Sequence, residues 1–125
     1  MSNAIAVYRG SSATFDVAVA DEDGEPVDLT DAALIVTVRD YVGGTLVFDR
    51  RNTAAGGGEG EATVIAPASD GVFRFFVTPI ESDLLEPGVT YHWDAWVVLS
   101  DGTQGCVVDP DDLVCPYAVT EEFLP

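Results

Sequence analysis

The side chains able to do chemistry are few. His92 is the only histidine, and Asp94 follows two positions later, on the same face of any strand that holds both. An imidazole beside a carboxylate supplies two members of a nucleophilic triad. The third needs an activated Ser beside an oxyanion hole. Neither a Gly-x-Ser-x-Gly elbow nor a Ser-x-x-Lys motif occurs. The pair therefore reads as polar residues on a strand's outer face. Paired carboxylates of the glycosidase kind are no better a signal, since any sandwich this acidic offers such pairs. No catalytic residue is expected.

Cys106 and Cys115 flank Val107-Val108-Asp109-Pro110-Asp111-Asp112-Leu113-Val114. If the last two strands form a hairpin, the two cysteines face each other. A disulfide there would add about 2–3 kcal/mol by closing the loop. The alternative is two buried, reduced thiols acting as small hydrophobes. No Cys and His set has zinc spacing. Asp21, Asp23 and Glu25, with Asp28 nearby, resemble the start of a calcium loop, but its twelfth position falls on Ala32 instead of a bidentate Glu. Asp109, Asp111 and Asp112 form a second acidic knot. Both groups read as solvated turn carboxylates. Neither a metal site nor a cofactor is expected.

The charge balance narrows the partners. The chain has 125 residues, 22 of them acidic, and a net charge of −17. Its five basic residues are all arginine: Arg9, Arg39, Arg50, Arg51 and Arg74. Such a surface repels phosphate backbones and anionic headgroups, so no nucleic acid and no membrane is expected as a partner. It also suits a high-salt environment, where self-repulsion is screened. The hydrophobic fraction of 47% is ample for one core. No apolar run is long enough to span a bilayer, and no signal peptide is read at the start.

These residues must be positioned by strands, because the apolar period is close to two almost throughout. Ala13 to Val19, Ala33 to Asp40, Thr45 to Asp49, Ala62 to Ile65 and Val72 to Val77 read as strands. Val89 to Leu99 is the clearest, with Tyr91, Trp93, Ala95, Val97 and Leu99 on one face and His92, Asp94, Trp96 and Val98 on the other. Thr103 to Val108 and Leu113 to Thr120 supply the last two strands, after an Asp101-Gly102 turn. Thr78-Pro79-Ile80-Glu81 predicts a capped helix near 79–86 that crosses between sheets. Residues 53–60 read as a flexible loop, and residues 1–4 and 121–125 as terminal extensions. The expectation is one all-β domain over 1–125, an antiparallel sandwich of about seven to nine strands.

The opening Val7-Tyr8-Arg9-Gly10-Ser11-Ser12-Ala13-Thr14-Phe15 leads through Val17 to the turn Asp21-Glu22-Asp23-Gly24-Glu25-Pro26 and then to Val27-Asp28-Leu29-Thr30. This order resembles the immunoglobulin-like domain at the N-terminus of phage baseplate upper proteins, with related domains in other tailed-phage virion proteins. Leu85-Glu86-Pro87-Gly88-Val89-Thr90-Tyr91 and the Asp101-Gly102 hairpin follow the same order. The match weakens across Tyr41 to Gly71 and Cys106 to Cys115. The resemblance implies an immunoglobulin-like sandwich that docks one virion protein onto another and carries no catalytic residues.

The expected function is that of a structural or accessory virion protein, located in the tail or baseplate as an adaptor or on the capsid surface as a decoration. Its partners would be other virion proteins or copies of itself in a symmetric assembly. The alternative is a prokaryotic cell-surface adhesion module that binds protein or glycan through its loops. Trp93 and Trp96 fall on opposite strand faces, so one is core and the other a candidate contact, and Trp96 is the candidate interface residue. Arg50 and Arg51, the only paired cations, are candidates to dock an acidic neighbour. Phe123 and Leu124 are apolar residues in the tail. The terminal segments Ala4 to Tyr8 and Tyr117 to Leu124 are candidates for strand addition to a neighbour's sheet.

Overall fold

The computed structural model describes residues 4–41, 44–57 and 61–116. Its elements are β1 (Ile5–Ala6), β2 (Ala13–Ala18), β3 (Ala33–Arg39), β4 (Leu46–Arg51), β5 (Ala62–Val64), β6 (Val72–Val77), α1 (Pro79–Ser82), β7 (Thr90–Val98) and β8 (Gln104–Val114). They form a five-stranded sheet of order β1-β8-β7-β3-β4 and a three-stranded sheet of order β2-β6-β5. Placing β3, β7 and β8 in one layer and β2, β6 and β5 in the other is the strand partition of an immunoglobulin-like sandwich. This chain is such a sandwich. One pairing departs from the antiparallel expectation: β1 lies parallel to β8, with Ile5 opposite Leu113 and Ala6 opposite Val114.

Alternation builds the core. Leu34, Val36 and Val38 of β3, Phe73, Phe75 and Val77 of β6, and Tyr91, Trp93, Ala95 and Val97 of β7 all point inward and are buried. Phe75 joins the layers: its ring centroid is 5.3 Å from that of Phe15 and 5.4 Å from that of Trp93. Burying rings of this size dominates the energetics of a small domain.

Helix α1 carries the chain from the three-stranded to the five-stranded sheet, as the capping box at Thr78 and Glu81 predicts. It is only four residues long, because the chain turns to bury Leu85. Ser82 is fully buried, and its hydroxyl donates to the Ser11 carbonyl at 2.6 Å. Next comes a tyrosine corner, in which the Glu86 N–H donates to the Tyr91 hydroxyl oxygen at 2.8 Å. At the opposite end, Gly71 has φ of 71°, and a Cβ there would lie 2.6 Å from the Val19 carbonyl oxygen. Only glycine lets these two loops close on one another.

The segment from 53 begins as one 3-10 turn, Thr53–Ala55, pinned by Asn52. The Asn52 amide accepts from the Leu34 N–H at 3.0 Å and donates to the Ala32 carbonyl at 2.7 Å. Residues 58–60 lie outside the described residues.

Two expectations are corrected at the end of the chain. The segments read as separate strands, Thr103 to Val108 and Leu113 onward, are one strand, β8, paired with β7 from Gln104 to Val114. Two bulges carry it past the acidic knot. From Trp93 to Ala95, β7 advances two residues while the partner on β8 shifts by three, from Asp111 to Val108; from Ala95 to Trp96 it advances one while β8 shifts by two. Pro110 sits at the first bulge, where its missing N–H costs no ladder bond. Cys106 and Cys115 are consequently not opposed across a hairpin. They are nine positions apart along one strand line, a separation of well over about 20 Å at strand rise, far beyond disulfide reach. Both thiols are free.

Candidate interaction face

The outer face of the five-stranded sheet gathers most of the chain's unusual side chains. Cross-strand register places Arg51, Ile35, Trp96 and Cys106 in one row across β4, β3, β7 and β8. The next row holds Asp49, Thr37 and Asp94. A further row holds Arg39, His92 and Asp112. Trp96 is 41% exposed and stands near the middle of this face, while Trp93 is buried. The alternation along β7 separates the two.

The polar members are mutually engaged. Arg51 Nε lies 2.9 Å from Asp49 Oδ2. The Thr37 hydroxyl donates to Asp94. His92 Nδ1 lies 3.6 Å from Asp112 Oδ1, across the β7–β8 ladder. His92 and Asp94 thus share a face but serve different neighbours. Cys106 donates to the Val108 carbonyl at 3.0 Å. Burial first, then the nearby Asp109 and Asp94 carboxylates, push its thiol above the ordinary range. A thiol so placed stays protonated and weakly nucleophilic.

Arg50 is a correction. It was a candidate docking cation, but it is 9% exposed and faces inward. Its Nη1 lies 3.0 Å from Glu81 Oε1, which also accepts from the Thr78 N–H and hydroxyl. The period-two pattern carried this signal: Phe48 and Arg50 share parity, and Phe48 is core. Arg51, one residue on, faces out with Trp96. Phe123 and Leu124 lie outside the described residues, as does the segment from Tyr117 onward. The other terminal candidate, Ala4 to Tyr8, contributes β1 to the domain's own sheet.

The acidic turns are built by local capping. Asp21 accepts from the Asp23 and Glu25 N–H groups at 2.9 and 3.0 Å. The Thr30 hydroxyl and N–H hold the Asp28 carboxyl below its usual range, and the Thr103 N–H does the same for Asp101. Arg74 lowers Asp16 chiefly through a hydrogen bond, at 2.7 Å. Among the described residues, no three His, Cys, Asp or Glu side chains group as metal ligands. None of the described helices is long and apolar enough to cross a membrane.

No protein-family model matches the chain, and no curated protein matches it.

Proposed function

We propose that this domain is a structural component of a tailed-phage-like particle, acting in the tail or baseplate as an adaptor or on the capsid as a decoration. It works by burying interface area against other virion proteins or further copies of itself. The observation that carries the reading is Trp96: a 41% exposed indole in an outward row with Ile35 on β3 and, one strand further, Arg51 on β4. Exposed Trp and Arg are the residue types that anchor protein interfaces. The order of turns along the chain, which resembles immunoglobulin-like domains of virion proteins, supplies the setting. In this reading His92 and Asp94 shape the face and perform no reaction.

The test is incorporation. Trp96→Ala leaves the fold intact, because the side chain is not core, and lowers incorporation into particles by about tenfold or more. Equal incorporation of the wild-type and variant chains contradicts the reading.

One observation favours the alternative, a cell-surface adhesion module. Asp21, Glu22, Asp23, Glu25, Asp28 and Asp31 lie in the loop that meets the 66–71 turn, through the Leu29 N–H to Ala68 carbonyl bond at 3.0 Å. Loop recognition predicts that charge reversal there removes binding while Trp96→Ala does not.

A further inference from the structure

Among the described residues, the sandwich is open along one flank. β2 is an edge strand, paired among the described residues with β6 alone. On the facing sheet, β8 has β7 on one side, and β1 covers its other side only at Leu113 and Val114. From Gln104 to Pro110 the outer edge of β8 has no strand partner among the described residues. Two strand edges therefore border one seam, and each presents backbone donors and acceptors.

Most of the side chains lining the seam are apolar, although its exposed surface is mixed. A groove of about 500 Å³ runs between the edges, lined by Ile5, Phe15, Val17, Trp93, Val107 and Val108 among others. Val107 also borders a second recess of about 170 Å³ towards the loop end, beside Val19, Val27 and Leu99. The two recesses thus follow one another along the flank. The surroundings are acidic. Asp16 lines the groove but is paired with Arg74 at 2.7 Å, so the uncompensated charge lies elsewhere: Asp109 is exposed on β8, and the loops at the recess end carry Asp21, Glu22, Asp23, Glu25 and Asp101 without any basic residue.

We propose that this flank is a strand-acceptor seam, taking an extended segment of another protein that is apolar at alternate positions and flanked by Lys or Arg. Free strand edges select an extended backbone, the apolar lining selects alternate hydrophobic side chains, and the acidic surroundings select cationic flanks. The segment adds to β8 in line with β1, extending the five-stranded sheet upward from the two residues that β1 covers. A second copy is the poorer occupant, because each chain carries −17. The seam lies on the flank and not on the face bearing Trp96, so it stands or falls separately from the docking of that face.

The probe is a fluorescent synthetic peptide in which Val and Thr alternate between flanking pairs of Lys, titrated into the full chain by anisotropy. Saturable binding is expected, weakening by about tenfold between roughly 50 and 300 mM NaCl. N-methylation of alternate peptide bonds keeps charge and side chains but removes backbone donors, and weakens binding by about tenfold or more. Gly105→Trp, at a position where a Cβ meets open space beside the second recess, also weakens it. Absence of saturable binding overturns the proposal, as does equal binding of the N-methylated peptide, which would mean attraction by charge alone. Binding that emerges only after removal of residues 117–125 assigns the seam to the chain's own tail and overturns it too.

Discussion

Arg50 and Glu81 meet at 3.0 Å with side chains only 11% and 19% exposed, tying the edge strand β4 to the helix that links the two sheets. A buried pair of this kind is costly to assemble and costlier to halve. Arg50→Ala is expected to destabilise the domain by about 2–4 kcal/mol, because it strands the Glu81 carboxylate. The double replacement Arg50→Ala with Glu81→Ala is expected to cost less than the sum of the two single changes. Urea unfolding of the four chains checks this; additive losses contradict a coupled pair.

The two tryptophans should separate stability from docking. Trp93→Ala removes a buried ring that packs at a tilt against Phe75 and is expected to cost about 3–5 kcal/mol. Trp96→Ala is expected to change stability by less than about 1 kcal/mol. Thermal or urea unfolding measures both. A loss at Trp96 as large as that at Trp93 would make Trp96 core.

Much of this was legible from alternation alone. β2, β3, β6 and β7 fall within a residue or so of the periodic runs that predict them, because a half-buried strand writes its burial into every second position. The helix was legible because Thr78, Pro79 and Glu81 form a start signal in consecutive sequence. Acidic knots and prolines were misleading. Asp109-Pro110-Asp111-Asp112 reads as a turn, yet two bulges absorb it within β8. Such tolerance depends on the register of the partner strand β7, which no local pattern contains. The partnership of Arg50 with Glu81 was invisible for the same reason, although the inward parity of Arg50 was not. Nor could the sequence show that β1 covers only two residues of the β8 edge.

The cysteines yield a redox prediction. Both thiols are free, so reducing agent is expected to leave the melting temperature unchanged, and a denatured sample should titrate both as thiols without prior reduction. In the folded chain the reaction should be slow, since Cys115 is buried and the Cys106 thiol is raised by burial. A reduction-dependent fall in melting temperature would indicate a bridge and contradict the single-strand geometry of β8.

Stability should depend on pH and salt in opposite regimes. Asp16, Asp28 and Asp101 are all lowered in the folded state, by Arg74, Thr30 and Thr103 respectively. A depressed folded pKa contributes stability above the unfolded value, and that contribution is lost as pH falls through the folded value. The acid limb should therefore lie below about pH 4, and Asp16→Asn should flatten it. Near neutral pH the −17 charge acts the other way, so added NaCl is expected to raise the melting temperature. Calorimetry across both variables checks the two trends; a melting temperature that falls with salt at pH 7 contradicts the second.

The proposed function puts the domain in a particle. Immunogold electron microscopy with an antibody to this domain, on particles from the source, tests it most directly. Label is expected at defined positions on the particle, at the tail tip or neck for an adaptor and over the head for a decoration. Particles that carry no label at any position would contradict it.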